Sequence, residues 1–247
     1  MKRTNEPDKY RKKIKRNLLA SSIALALVSS NSWAIFQNGD FENGDFSHWE
    51  KEHGLNYRLK GNPPFTADSV QISNGGSFIL NVVSNSFDPR APHLVLPRQG
   101  NFTAKLNDEI GGRHINQISQ KDVITEDDRD PSDGKLHIRF TYAAVLNDPN
   151  HASYQQPYFH VQLKDLTTAE ILYDDIAYSN QPGRLFYTTN FNGTWRSTPF
   201  IDVDMIVPDS LIGHELEVRA LAADCSQNAH GGYVYVDAFG ANKIKPQ

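Results

Sequence analysis

The chain has 247 residues, one cysteine, and 25 Lys and Arg against 29 Asp and Glu. Cys225 alone excludes an intramolecular disulfide, so a folded domain must rest on an apolar core. Eight of the basic and two of the acidic residues fall before residue 35, which leaves 17 against 27 and a net charge of −10 beyond it; that balance repels phosphate backbones and argues against nucleic acid as a partner.

The first element in the chain reads as an export signal. Lys2, Arg3, Lys9, Arg11, Lys12, Lys13, Lys15 and Arg16 precede an apolar run from Leu18 to Val28. That run is about half of the roughly 20 residues a membrane-spanning helix needs. Ser32 and Ala34 then put small residues at the two positions a signal peptidase inspects. Residues 1–34 are therefore expected to be a cleaved signal peptide. Residues 35–247 are expected to be one secreted domain, extracellular or periplasmic, with no membrane span in the mature form.

Beyond the signal the pattern is of strands. Expected strands cover residues 36–42, 56–59, 77–83, 101–106 and 115–125. A charged loop at 125–134 follows, where Asp128, Asp130 and Ser132 place oxygen at alternate positions, as a calcium loop does; a solvated turn is the alternative. Residues 135–142 alternate strictly, with Leu136, Ile138, Phe140 and Tyr142 on one face. The same period of two marks 158–164 and 215–220; residues 232–239 close the chain as another strand, and 170–173 is a further candidate. About ten short strands separated by Gly, Pro, Asn and Asp, with no sustained helical period, predict an all-β domain: a single two-sheet sandwich. Cys225 is expected to act as a small buried apolar residue, and Trp49 to lie in the core.

Two resemblances give this architecture a context. Asn38, Gly39, Phe41, Glu42, Gly44 and Trp49, with Asp237 ending the last strand, resemble the opening and closing strands of bacterial jelly-roll carbohydrate-binding modules and galactose-binding-like domains. The runs from Tyr142 to His151, Gln156 to Phe159, Asp224-Cys225 and His230 to Tyr233 resemble sandwich domains of bacterial surface proteins of unknown ligand. The first likeness implies a jelly roll with a structural Ca²⁺ between the first and last strands, held by Glu42 and Asp237 with oxygen from Asn38 or Asp40. The alternative for Glu42 is hydrogen bonding to backbone amides at the sandwich edge.

Function is expected to be non-catalytic recognition of glycan or another extracellular surface component. Sugar C–H faces stack on aromatic rings while polar groups fix the hydroxyls. Candidate rings are Trp195, Tyr154, Tyr158 and Tyr187, and candidate polar contacts are His151 and Arg196. The turn at 147–158 and the loop at 191–196 would then share one edge of the sandwich. An adhesion or matrix protein with protein partners is the alternative, and a jelly-roll lyase or hydrolase a weaker one. No metalloprotease, nucleophile-elbow or P-loop motif is present. Asp174 and Asp175 are adjacent in a strand and so point to opposite faces, which does not suit glycosidase chemistry across one bond. N-terminal sequencing of the exported protein should begin at Ile35; a mature chain still carrying Lys12 to Arg16 would contradict the signal.

Overall fold

The computed structural model describes residues 35–240 and 244, so the export signal lies outside the described residues. Its strands, in chain order, are β1 (Glu50–Leu55), β2 (Leu80–Val83), β3 (Thr103–Leu106), β4 (His114–Val123), β5 (Leu136–Asn147) and β6 (Tyr158–Asp165). Then follow β7 (Ile171–Tyr178), β8 (Tyr187–Asn190), β9 (Thr194–Ser197), β10 (Ile201–Val207), β11 (Glu215–Ala223) and β12 (Gly232–Asp237). One sheet has the order β1-β4-β11-β6-β7; the other runs β2-β3-β12-β5-β9-β8, with β10 also paired to β5. The chain passes back and forth between the sheets from β3 to β6 and again from β10 to β12, the wrapping of a jelly roll.

Strand alternation sorts the side chains. On β5, Phe140, Tyr142, Ala144 and Leu146 enter the central core, with Val161, Leu163, Val218 and Ala220 from the facing sheet. Ala143 and Val145 point the other way and join a second apolar cluster on the outer face.

From residue 77 onward every expected strand is present with shifted ends. Residues 36–42 and 56–59 are not strands. The Asn-Gly-Asp-Phe repeat makes turns instead: Asn38 and Phe41 have φ of 50° and 56°, and the Asn38 side chain accepts from Asn43 N and donates to Asp45 O. These turns still reach the core. Phe41 stacks on Trp49 at 5.3 Å, and Trp49 Nε1 donates to Asn38 O at 3.1 Å. Gly39 passes so close to the end of β12 that a Cβ there would lie 2.0 Å from Phe239 O. The strand just before residue 56, β1, escaped prediction because it is a largely exposed sheet edge with no apolar alternation.

Both sheets also carry apolar side chains on their outer faces, and each is roofed by a non-strand segment. Residues 86–96, closed into a loop by the Ser86–Leu96 bridge, set Ala91, Leu94 and Leu96 over Ala143, Val145, Trp195, Tyr233 and Tyr235. Asp88 pins this roof by accepting hydrogen bonds from Tyr233 Oη at 2.6 Å and Tyr235 Oη at 3.0 Å. On the other side, residues 56–72, closed by the Leu55–Ser73 bridge, place Leu59 and Phe65 over Ile115, Tyr158, Tyr178 and Leu221. Asp88→Ala would orphan two buried hydroxyls, at about 1–3 kcal/mol each. Urea unfolding should therefore show a loss of at least about 2 kcal/mol; a change under about 0.5 kcal/mol would mean the roof is not held by Asp88.

Candidate functional site

The two loops expected to share an edge do so. Asp148 N donates to Thr194 O at 2.7 Å, and Arg196 Nε donates to Asp148 Oδ2 at 2.9 Å. The rings expected there are another matter. Trp195 is 3% exposed beneath the 86–96 roof, with its Nε1 donating to Phe191 O at 3.0 Å and the Arg90 guanidinium 5.1 Å from its ring. Tyr158 is fully buried under the 56–72 roof. Both were candidates as stacking faces, and both are corrected to packing residues, because their strand positions face the roofs and not solvent. Tyr154 is half-buried against the same cluster. Arg196 is engaged by Asp148 and Thr188. His151 turns away toward Cys225 and His230. The exposed rings at this edge are Tyr187, 4.2 Å from His93, and Phe191, beneath the Arg90 guanidinium at 5.3 Å.

The residues expected to hold calcium are organised differently. Glu42 Oε1 accepts from Asn101 N at 2.7 Å and Phe102 N at 3.0 Å, and Oε2 from Asn101 Nδ2 at 2.7 Å. Asp237, fully buried at the end of β12, accepts from Gln99 N, Thr103 Oγ1 and Ala238 N. Burial pushes its carboxyl up to about 7 against the pull of those donors, and the nearby Asp40 charge acts in the same direction. Asp40 itself accepts from Glu42 N, and Asn38 faces Asp45 and Ser47. Glu42 and Asp237 thus hold two ends of one segment with N–H and O–H donors. Among the described residues, the groups of three His, Cys, Asp or Glu that could share one ion lie elsewhere.

The 125–134 loop is also tied up by protein donors. Asp128 accepts from Thr125 N and Oγ1, and Asp130 accepts from Ser132 N while lying 2.8 Å from Arg139 Nη1.

A polar surface lies on the outer face of the β1-β4-β11-β6-β7 sheet, with Glu50, Glu52, Asp174 and Arg219 exposed and Ser119, His160 and Gln162 largely buried among them. Residues paired across strands share a face, so the register defines rows. The first row, Ile115, Ala223, Tyr158 and Tyr178, is apolar and roofed. The second contains Glu52, Gln117, Leu221, His160 and Ile176. The third contains Glu50, Ser119, Arg219, Gln162 and Asp174, and the fourth Lys121, Glu217 and Lys164.

Short contacts orient these groups. His160 Nε2 lies 2.7 Å from Asp174 Oδ1, which also accepts from Gln162 Nε2 at 3.0 Å. Gln117 Nε2 donates to Glu52 Oε2 at 3.0 Å, and Arg219 Nη2 lies 2.7 Å from Glu217 Oε2. The His160 hydrogen bond holds the Asp174 carboxyl below the usual carboxylate range. Asp175, by contrast, points inward to Tyr142 Oη and to a bidentate Arg184 at 2.6 and 2.7 Å, on the face opposite Asp174 as expected. The polar rows escaped sequence reading because His160, Gln162 and Arg219 looked like the ordinary solvent side of amphipathic strands.

Trp195→Ala should cost about 3–5 kcal/mol of stability, the usual loss on truncating a buried Trp. Denaturant unfolding decides it, and a loss under about 1 kcal/mol would return Trp195 to the surface.

No protein-family model and no curated protein matches the chain. Similar solved structures include TmCBM61 in complex with beta-1,4-galactotriose, at 9% identity, covering 84% of this chain and 96% of that one with a TM-score of 0.41. The CBM27-1 of Caldicellulosiruptor saccharolyticus in complex with mannohexaose is 13% identical over 84% and 97%, with a TM-score of 0.40. A Stig cyclase, Fisc from Fischerella sp. TAU, is 15% identical over 83% and 93%, with a TM-score of 0.34. These scores are low, and the sandwich described above stands on the strand pairing of this chain. In architecture alone, the chain is similar to carbohydrate-binding modules with β-sandwich folds.

Proposed function

We propose that this protein is a secreted, non-catalytic binding module that takes a neutral glycan on the second and third polar rows of the β1-β4-β11-β6-β7 sheet. The observation that carries this reading is that the outer faces of both sheets are roofed where they are apolar, while the third row is polar across all five strands, with Glu52, Gln117 and His160 of the second row beside it. Amide, carboxylate, guanidinium and imidazole groups set side by side suit the vicinal hydroxyls of a sugar. Acidic Glu50, Glu52 and Asp174 are interleaved with Arg219, which favours an uncharged ligand over a polyanion. Secretion rests on residues 1–34, and the jelly-roll resemblance supports the binding role. The non-catalytic reading is supported by Asp174 and Asp175 facing opposite ways, which does not suit a glycosidase pair. Calcium has no part in this proposal.

A second reading, adhesion to a protein partner, is favoured by one feature. Phe87, Val95, Leu185 and Tyr187 are 70%, 78%, 65% and 47% exposed on the 86–96 roof and at the start of β8.

Glycan-array screening followed by calorimetry separates the two. Arg219→Ala is expected to weaken glycan binding at least tenfold, about 1.4 kcal/mol, without shifting the melting temperature, while Tyr187→Ala leaves binding intact. Loss of binding in Tyr187→Ala alone would move the site to the β8–β9 hairpin. Absence of glycan binding together with self-association lost in Phe87→Ala would favour adhesion.

A further inference from the structure

We propose that His151, Cys225 and His230 form a site for a zinc-class divalent cation, with two imidazole nitrogens and one thiolate sulfur as protein ligands. Their ligand atoms all lie within 4.8 Å of one another. Cys225 Sγ is 3.4 Å from His230 Nδ1. That separation matches the roughly 3.5 Å between a nitrogen and a sulfur ligand on a tetrahedral zinc with bonds of about 2.05 and 2.3 Å. The His151 and His230 rings meet edge to face, with centroids 5.2 Å apart at 79°. His151 Nδ1 is buried and has no hydrogen-bond partner.

A cysteine and two histidines suit zinc, copper or cobalt and not calcium or magnesium, which take oxygen.

The scaffold holds the three residues in place before any ion arrives. Cys225 N donates to His230 O at 2.9 Å and closes the β11–β12 loop around the Cys and His. Ser226 N donates to Gln155 O at 3.0 Å, and Gln156 Nε2 to His151 O at 3.1 Å, which ties the β5–β6 loop to it. Gly231 lets the loop press against residue 109: a Cβ there would lie 2.5 Å from Glu109 C. The site sits past the end of β11, beyond the roofed first row, so it is independent of the glycan reading.

The test uses the chain's single cysteine. Reduced, metal-stripped protein titrated with Co²⁺ should develop a thiolate-to-cobalt charge-transfer band that saturates at one equivalent, and only Cys225 can supply that thiolate. With Zn²⁺ the melting temperature should rise. His230→Gln, at a partly exposed position, should keep the melting temperature of the metal-free protein while weakening Zn²⁺ binding at least tenfold, and His151→Gln should do the same. Asp133→Asn, in the separate Asp130, Asp133 and His137 group, should leave both signals unchanged. The absence of a charge-transfer band at one equivalent would overturn the site, as would equal Zn²⁺ retention by the His151→Gln/His230→Gln double variant.

Discussion

A two-layer sandwich has two insides and two outsides, and strand alternation fills both. That constraint shapes most of what surrounds the sheets here. β5 shows it most clearly: Tyr142 and Ala144 belong to the central core, whereas Ala143 and Val145 need cover on the far side. The cover comes from loops closed by single β-bridges, 86–96 over one sheet and 56–72 over the other. Neither loop could form a roof without apolar side chains of its own, and Leu59, Phe65, Ala91, Leu94 and Leu96 supply them. What the roofs leave uncovered is decided by where the outer-face residues turn polar. On the β1-β4-β11-β6-β7 sheet that change falls within the second row, where Leu221 and Ile176 still join the roofed cluster while Gln117 and His160 are polar.

Carboxylates act as the pins of this arrangement. Asp88 takes two tyrosine hydroxyls, Glu42 takes the amides of residues 101 and 102, and Asp237 takes the start of β3 and the preceding turn. Asp224 accepts from Asn107 Nδ2, His114 N and Gly232 N, which joins β4, β12 and the turn after β3; burial pushes its carboxyl up to about 8. In a chain with one cysteine, these polar contacts fix loops that apolar packing alone would leave poorly specified.

The all-β class was legible in the sequence because period-two patterning is strong from residue 135 onward; pairing lengthened β5, β7 and β11 beyond the apolar run, while β2, β3 and β12 came out shorter than expected. The opening segment misled for a physical reason. Its resemblance marks a true element of the fold, since Trp49 and Phe41 do stack in the core, but Asn38 and Phe41 take left-handed backbone that no strand accommodates. β10, with Ile201, Val203 and Met205 alternating against Asp202 and Asp204, was readable and was passed over. The site was less legible. Aromatic content near loops cannot distinguish Trp195 under a roof from Phe191 at the surface, because the roof comes from a segment about a hundred residues earlier. The pairing of Cys225 with His230 was close in sequence, but His151 joins them only through the fold.

The polar rows form a built network on the outer face of the β1-β4-β11-β6-β7 sheet, and the central claim is that a neutral glycan lies across them. A crystal structure of the protein with a glycan selected by array screening tests this most directly. The account predicts the sugar against Arg219, Gln162 and Asp174, with its hydroxyls bonded to those side chains. A sugar bound instead at Tyr187 and Phe191, with the rows unchanged, would contradict it.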